Sequence, residues 1–152
     1  MNVWEVTTDS ERERCYAIRT KVFVEEQKVA AENERDAFDT APSTRHVLAE
    51  VAGRDAATAR LLVDGPGHVH IGRMAVHVWA RGSGVGRAVM EKIHEMAMDY
   101  DVDGVTRVEL SAQETAMGFY RSLGYEVKSG ERYLDEGMWH QDMVLDLRRA
   151  EA

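Results

Sequence analysis

The spacing of apolar residues divides the chain into strand-like and helical segments. Val3–Thr7 alternates between apolar and polar residues and predicts a short strand. Ser10 followed by Glu13 resembles a capping box, and apolar residues at helical spacing behind it predict a first helix from Ser10 to about Gln27. The acidic, turn-rich segment 29–44 then predicts a long loop.

The middle of the chain predicts three more strands and a second long helix. Segment 45–67 contains two of these strands, joined by a turn at Gly53 and closed by the breaker Gly65-Pro66-Gly67. His68–Val78 is the third. An apolar stripe at helical spacing then predicts a helix running to about Tyr100, and its members are Val85, Val89, Ile93 and Met96.

The last third of the chain completes a mixed sheet. Gly104–Ala112 predicts a strand, residues 113–124 predict a short helix ended by Gly124, and segments 125–129 and 140–148 predict two closing strands. The central strand, helix and strand imply a right-handed crossover with a parallel pair, while the hairpins imply antiparallel pairs. We therefore predict a mixed α/β fold in one domain that covers residues 1–152.

Composition and charge exclude several classes of protein. The net charge of −8 disfavours general binding to nucleic acid, which requires a basic surface. No apolar run approaches the roughly 20 residues that a membrane span needs, and the N-terminal residues do not resemble a signal peptide. Cys15 is the only cysteine, which excludes an internal disulfide. These features predict a cytoplasmic protein without a nucleic-acid or membrane partner.

The segment RGSGVGRAVM at residues 81–90 is the strongest candidate for chemistry. Three glycines lie between Arg81 and Arg87, where a strand ends and a helix begins. The first turn of a helix has unpaired amides and a partial positive charge, and glycines let the backbone approach a bulky anion. The pattern predicts a phosphate-binding turn with two arginines as additional positive charges. A plain tight turn is the alternative interpretation.

Two other phosphate-binding motifs fit the segment less well. A Walker loop would require lysine and serine or threonine after Gly86, where the chain has Arg87 and Ala88. A dinucleotide fingerprint would require a third glycine at Arg87, although Glu109 could imitate the acid that binds ribose. A dinucleotide-binding oxidoreductase therefore remains a weaker alternative.

The combination of motifs resembles the GCN5-related N-acetyltransferase (GNAT) superfamily, in its ElaA-like and YjcF-like branch. Residues 81–86 fit the superfamily signature Q/R-x-x-G-x-G/A, and LSAQETAMGFYRSLGY at residues 110–125 is similar to its second motif. IRTKVFVEEQKV near the front and GERYLDEGMWHQDM near the end resemble the branch. The resemblance covers nearly the whole chain and implies the acyl-CoA N-acyltransferase fold, with a splayed sheet of about seven strands.

The resemblance implies a binding site for acetyl-CoA. The backbone amides from Arg81 to Arg87 would hold its pyrophosphate, and the strand segment Met74-Ala75-Val76 would lie along its pantetheine arm. The Val76 N–H would donate to the thioester carbonyl. The full set of cofactor-binding residues implied in this way is Met74, Ala75, Val76, Arg81, Gly82, Ser83, Gly84, Val85, Gly86, Arg87 and Phe119.

The resemblance also implies transfer of the acetyl group to a primary amine by direct attack in a ternary complex. Tyr120 matches the tyrosine that many relatives use as a general acid. The general base is open, because the strand before the glycine turn carries His68 and His70 where many relatives have a glutamate. His70 and Glu136 are the candidate bases, with His140 also near the expected mouth of the site.

Other acidic and histidine positions have two interpretations each. Glu25, Glu26 and His140 are expected to bind the substrate, by resemblance to the same branch. The acidic segment is either a solvated loop or attracts a cationic acceptor, and its members are Glu32, Glu34, Asp36 and Asp39. His68 and His70 could hold a metal, but the sequence shows no third ligand, so no metal is predicted.

One further function remains open beside the transferase and the dinucleotide-binding oxidoreductase. A non-catalytic module that senses acyl-CoA would bind the cofactor without turnover. Cys15 lies on the apolar stripe of the first helix, so a covalent acetyl-cysteine step is not expected. The acceptor is predicted only as a small-molecule or peptide amine, and a homodimer is possible because relatives often dimerise.

Overall fold

A twisted seven-stranded sheet forms the centre of the computed structural model, which describes residues 1–150. The strands are β1 (Asn2–Glu5), β2 (Arg45–Val51), β3 (Arg54–Gly65), β4 (His68–Val76), β5 (Val105–Gln113), β6 (Glu126–Asp135) and β7 (Met138–Arg148). The α-helices are α1 (Asp9–Arg19), α2 (Ala31–Glu34), α3 (Val85–Ala97) and α4 (Met117–Ser122). Within this described range, no helix is long and apolar enough to span a membrane.

The order of elements and the mixed sheet agree with the prediction. The strands lie in the order β1-β2-β3-β4-β5-β7-β6, and neighbours are antiparallel except for β4 and β5. α3 connects this parallel pair, as the central strand–helix–strand pattern requires. The acyl-CoA N-acyltransferase fold expected from the resemblance is therefore confirmed.

The first helix begins earlier than its predicted cap. Thr8, and not Ser10, is the capping residue, because the Glu11 N–H donates to its hydroxyl oxygen at 3.1 Å. The Glu11 carboxylate accepts in return from the Thr7 N–H at 3.0 Å. The N-cap therefore lies two residues before the predicted position, and the bond to the Glu11 carboxylate comes from the residue before the cap, whereas a capping box uses the N–H of the capping residue itself. After Arg19 the helix widens into a π-helical turn over Thr20–Glu26.

Each face of the sheet packs against a different helix. Val69 and Ile71 of β4 pack against the buried stripe of α3, which is the larger core. Cys15 and Ile18 of α1 pack against the other face, where they contact Leu48. Burial raises the pKa of the Cys15 thiol to about 11, so this cysteine is an inert core residue.

A β-bulge in β4 reverses the alternation of its side chains. Gly72 pairs with Arg60 and Ala75 pairs with Thr58, so two residues of β4 oppose one residue of β3. Before the bulge the odd-numbered residues face α3, whereas after it Met74 faces α3 and Ala75 faces α1. Strict alternation along this strand would place His68, His70, Gly72 and Met74 on one face, and that expectation is wrong because the bulge adds one residue to the strand.

Strands β4 and β5 separate just before the bulge. Their parallel pairing covers only four positions and ends at Ile71 and Leu110. Beyond this point β4 continues along β3 as far as Val76, while β5 continues along β7 as far as Gln113. The sheet consequently opens between the two strands, and both strand edges at the opening are left without a strand partner.

A half-buried histidine in α3 should make stability depend on pH. The Nε2 atom of His94 and the hydroxyl of Tyr125 are 2.6 Å apart, and burial lowers the pKa of His94 from 6.5 to about 4. The unfolded chain takes up a proton below pH 6.5 and the folded chain only near pH 4, so stability is lost as the pH falls through this window. We expect the melting temperature of His94→Gln to fall less than that of the wild type between pH 7 and about 4.5.

The matched control is His68→Gln, since the His68 side chain is 38% exposed and lies in β4 and not in α3. Thermal melts followed by circular dichroism at several pH values measure the difference. Parallel pH profiles for the wild type and His94→Gln would contradict the assignment of this titration to His94.

Candidate active site

The opening between β4 and β5 forms a cleft of about 970 Å³. One wall is the unpaired edge of β4 over residues 72–76, and the other is formed by α4 and the end of β5. The glycine turn before α3 closes one end, and the turn between β6 and β7 lies at the other. The cleft therefore brings together segments that are far apart in the sequence.

The glycine turn presents bare backbone to the cleft. Gly82 and Gly84 have φ angles of 80° and 87°, a region that side chains rarely adopt, and a Cβ at either position would enter open space. Among residues 1–150, no acceptor bonds the N–H groups of Gly82, Gly84, Gly86 or Arg87. Four free amides at the N-terminus of a 13-residue helix present donors and partial positive charge of the kind that attracts an anion.

Gly86 has a different role in the same turn. A Cβ at this position would lie 3.4 Å from the terminal methyl of Met74 and 3.6 Å from the ring of Phe119. A Cβ at these distances makes ordinary van der Waals contact, whereas a longer side chain would push the start of α3 away from β4 and α4. The packing of α3 against these elements places the free amides at the rim of the cleft.

The two arginines of the turn are less available than their positions in the sequence suggested. Arg81 forms a bidentate ion pair with Glu26, with N–O distances of 2.7 and 2.8 Å, and its Nε donates to the Val76 carbonyl at 3.1 Å. Arg87 lies 3.3 Å from Glu91 on the exposed side of α3. The positive charge of the site therefore comes mainly from the amides. The ion pair between Arg81 and Glu26 connects the glycine turn to the π-helical turn.

The Val76 amide points into the cleft. The next N–H along the strand, that of His77, donates to Ala56 on the β3 side at 2.8 Å. Successive N–H groups of an extended strand point to opposite edges, so the Val76 N–H points away from β3. It is a hydrogen-bond donor that no neighbouring strand satisfies.

Tyr120 of α4 lines the cleft with only 8% of its surface exposed. Burial raises its pKa to about 12, so the phenol keeps its proton at neutral pH. Within the described part of the chain its hydroxyl has no hydrogen-bond partner, and the rings of Phe119 and Tyr125 fix its orientation at centroid distances of 5.2 and 5.9 Å. Tyr120 is therefore a protonated phenol at the wall of the cleft, with a hydroxyl that is able to donate.

Comparison with known proteins identifies the family. A model of the acetyltransferase (GNAT) domain matches residues 6–147. The chain belongs to the GNAT acetyltransferase family. YjcF of Bacillus subtilis, an uncharacterized N-acetyltransferase, is 32% identical over 133 residues, which are 87% of this chain and 90% of that protein.

Solved structures support the same assignment. The crystal structure of Escherichia coli ElaA superposes with a TM-score of 0.81 at 29% identity, covering 94% of this chain and 97% of ElaA. An acyl-CoA N-acyltransferase from Pseudomonas aeruginosa gives a TM-score of 0.80 at 32% identity, covering 98% and 99% of the two chains. The resemblance to the ElaA-like and YjcF-like branch is confirmed, and the chain is an acyl-CoA-dependent N-acyltransferase.

The structure brings most of the predicted GNAT residues to one cleft. Among the cofactor-binding residues, the side chains or backbone of nine line it: Met74, Ala75, Val76, Arg81, Gly82, Gly84, Gly86, Arg87 and Phe119. Ser83 and Val85 do not. The Ser83 hydroxyl instead accepts from the Val85 N–H at 3.3 Å, and the Val85 side chain lies in the core.

Two of the predicted catalytic and substrate-binding residues, His70 and Glu25, also lie outside the GNAT cleft. His70 points to the α1 face of the sheet and contacts Asp64 and Glu109, because it precedes the bulge in β4. Glu25 is exposed and pairs with Lys21 at 3.3 Å. Glu109, the residue considered as a ribose-binding acid, is also absent from the cleft lining.

His140 has the geometry of a base. Its Nδ1–H donates to the Met138 carbonyl at 2.8 Å, which fixes the tautomer and leaves Nε2 with a lone pair. The ring stacks on Tyr133 at a centroid distance of 5.8 Å, lines the cleft and is 7% exposed. Glu136 also lines the cleft but is exposed in the turn between β6 and β7.

The acidic segment is an ion-paired support and not a solvated loop. The Arg19 guanidinium is 1% exposed and donates to Glu34 at 2.8 Å and to Asp39 at 2.7 Å. Although burial alone would raise the pKa of Asp39, the bonds from Arg19 and Arg60 hold this pKa well below its ordinary value. Only Glu32 of the four predicted acidic residues is a free surface group in the described chain.

The same network reaches the cleft through Arg73. This residue has a φ of 51° in the bulge, and its guanidinium donates to the Glu34 carbonyl at 2.9 Å and to Asp36 at 3.2 Å. Arg60 donates to Asp36 at 2.7 Å and to Asp39 at 2.9 Å. Three arginines and three carboxylates thus hold α2, the turn after it and the strained bulge together.

Sequence reasoning missed several residues of the cleft. Arg73 and Glu34 line it, and Gln113 donates to Gln27 across it at 2.9 Å. Gln27 lies within the segment IRTKVFVEEQKV, whose resemblance to the branch is the only local signal for this contact. The partners of Arg73 are separated from it by 37 and 39 residues along the chain. No spacing pattern in the sequence predicts a contact between residues so far apart.

Removing the centre of the network should destabilise the fold strongly. Arg19→Gln would leave the Glu34 and Asp39 carboxylates buried with reduced compensation, which costs about 3–5 kcal/mol in comparable buried pairs. Chemical denaturation followed by fluorescence measures the free energy of unfolding. The control is Arg12→Gln in the same helix, whose partner Asp9 is 96% exposed. Equal losses for both variants would contradict the supporting role of the network.

Proposed function

We propose that the protein is an N-acetyltransferase that moves an acetyl group from acetyl-CoA to a primary amine by direct attack in a ternary complex. The observation that carries the proposal is that four unbonded amides of the glycine turn open onto the same cleft as the free Val76 N–H and the Tyr120 hydroxyl. This arrangement matches the three needs of the reaction, which are an anion site, a carbonyl donor and a proton donor.

The glycine turn fits a pyrophosphate. The amides of Gly82, Gly84, Gly86 and Arg87 need acceptors, and Gly82 and Gly84 leave room for them. The two residues whose side chains turn away, Ser83 and Val85, would support this turn and not contact the ligand. The unpaired edge of β4 at residues 74–76 would bond the amides of the pantetheine arm as an added strand does.

Acetyl-CoA supplies the thioester whose acyl group is transferred. The Val76 N–H would donate to the carbonyl oxygen as negative charge develops there, and it needs no reorganisation because it already points into the cleft. Tyr120 would give its proton to the departing sulfur when the C–S bond breaks. Its raised pKa keeps it protonated for this task and allows it to recover the proton afterwards.

His140 is the base that the geometry favours. Its unbonded Nε2 would accept the proton that the attacking nitrogen loses as the C–N bond forms. His70, the base predicted from the strand before the glycine turn, lies outside the cleft lining. Asp135 and Glu136 line the cleft at the β6–β7 turn, and their carboxylates would attract a cationic amine.

Cys15 has no part in this scheme. It is fully buried behind the sheet and hydrogen-bonds the Val47 carbonyl, and it does not line the cleft. A covalent acetyl-cysteine step would need an exposed thiolate of ordinary pKa. Direct attack by the amine is the mechanism consistent with this placement.

A charged side chain in the glycine turn should abolish acetyl-CoA binding. Gly84→Glu adds a carboxylate where the open space faces the free amides, so we expect binding by calorimetry to be lost. Gly53→Glu is the matched control, because Gly53 has a similar φ of 74°, also faces open space and lies in the distant β2–β3 turn. Binding by Gly84→Glu at wild-type strength would contradict the phosphate site.

Removing the Tyr120 hydroxyl should slow the chemical step and leave binding intact. Loss of a general acid typically costs about 10²–10⁴-fold in rate, so Tyr120→Phe should lower kcat by this factor with little change in the KM for acetyl-CoA. Tyr125→Phe makes the same change in the neighbouring buried ring and should retain most activity. A panel of primary amines, followed by thiol release, supplies the assay.

The panel also separates catalysis from sensing. Binding of acetyl-CoA without turnover for any amine would favour the sensor module and overturn the transferase proposal. Equal kcat for the wild type and Tyr120→Phe would contradict the acid role alone.

A further inference from the structure

We propose that His68, His70 and Glu109 form a binding site for a divalent transition-metal ion on the α1 face of the sheet, outside the acetyl-CoA cleft. The two histidines lie at positions i and i+2 of β4, and Glu109 is the register partner of His70 on β5. Asp64 at the end of β3 completes the cluster. The sequence showed only the two histidines, and the parallel pairing supplies the missing third ligand.

The spacing of the donor atoms suits one ion. Glu109 Oε2 lies 3.3 Å from His70 Nε2 and 3.7 Å from His68 Nε2. Metal–ligand distances of about 2.0–2.1 Å in a tetrahedral site place neighbouring donor atoms about 3.3–3.4 Å apart. Glu109 Oε2 is therefore separated from each imidazole nitrogen by about the distance between two ligands of one ion, and the longer of the two distances exceeds that of a hydrogen bond.

The position of the His68 Nε2 atom is not explained by hydrogen bonds within the protein. This atom is shielded from solvent, and within residues 1–150 it has no hydrogen-bond partner. Its nearest carboxylate oxygens are those of Glu109 at 3.7 Å and Asp64 at 3.9 Å. A shielded nitrogen between two carboxylates is poorly satisfied by the protein alone, and a bound cation would satisfy it.

Asp64 fixes the ring of His70. The Nδ1 atom of His70 is in short contact with Asp64 Oδ2, so the Nδ1–H donates to this carboxylate and Nε2 keeps its lone pair for a metal. Metal-binding histidines commonly donate their second nitrogen to a carboxylate in this way. Asp64 is therefore a positioning residue, and the ligand set is two imidazoles and one carboxylate.

The environment of Glu109 leaves one oxygen for the ion. Lys128 bonds the other oxygen, Oε1, at 2.9 Å, and Oε2 faces the histidines. Imidazole and carboxylate donors favour Zn²⁺, Co²⁺ and similar ions over Mg²⁺ or Ca²⁺. The remaining coordination positions face solvent, since both histidines are about 40% exposed.

The site joins β4 to β5 at the last part of their pairing. His70 and Glu109 precede the final pair, Ile71 and Leu110, after which the strands separate. A metal bound here would link the two strands beside the origin of the cleft. Its binding is therefore expected to stabilise the fold without contact with the acetyl-CoA residues.

The test uses protein free of any polyhistidine tag. Calorimetry with Zn²⁺ and the visible absorption of added Co²⁺ should show one tightly bound ion per chain. Even outer ligands commonly change metal affinity by about 10–100-fold, so Asp64→Asn should weaken binding by this factor. His68→Gln, His70→Gln and Glu109→Gln should each weaken it by more than about 100-fold.

Two variants serve as matched controls. Asp146→Asn removes a carboxylate from the same face of the sheet, where Asp146 pairs with Arg107, and His77→Gln removes a histidine outside the cluster. Both should bind Zn²⁺ as the wild type does. Equal loss in a control and in His70→Gln would contradict the site.

Thermal melts give an independent readout, which can be applied to each variant that folds. Zn²⁺ should raise the melting temperature of the wild type and of Asp146→Asn, but not of His68→Gln. No shift in the wild type, or an equal shift with Mg²⁺, would overturn the proposal, since Mg²⁺ does not favour imidazole ligands.

Discussion

The bulge in β4 is the constraint on which the cleft depends. Arg73 occupies a left-handed backbone conformation there, which costs a residue with a side chain about 1–2 kcal/mol. Its guanidinium offsets this cost through charge-assisted bonds to Glu34 and Asp36, each worth about 1.5–3 kcal/mol. Because Arg19 and Arg60 hold the same carboxylates, the strained strand rests on a buried and charge-balanced support.

The bulge has two consequences for chemistry. It adds one residue to β4, so the strand leaves β5 and exposes the Val76 amide to an open cleft. It also exchanges the two faces of the strand, so Met74 packs under the glycine turn and α3 begins against it. The proposed donor to the carbonyl and the proposed anion site therefore have a common structural origin, although they belong to different elements.

The sequence predicted those features that depend on local patterns. The order of strands and helices, the glycine turn at residues 81–87 and the tyrosine in α4 follow from periodicity, glycine placement and family motifs. It did not predict the orientation of His70, because strict alternation cannot register an inserted residue. Nor did it predict that Glu34 and Asp39 are buried, because Arg19 and Arg60 reach them only after the chain has folded.

The two ends of β4 differ because its neighbour changes along its length. Where β4 pairs with β5, the side chains of His70 and Glu109 are held at ligand distances, and a polar cluster forms across the two strands. Where β4 no longer pairs with β5, the proposed chemistry depends on the backbone groups of β4 and not on its side chains. The residue types at 74–76 therefore do not predict this role. A strand that is paired at one end and free at the other can thus hold two sites of different kinds. The bulge at Arg73 separates them, so a substitution that affects one site need not affect the other unless it alters the bulge itself.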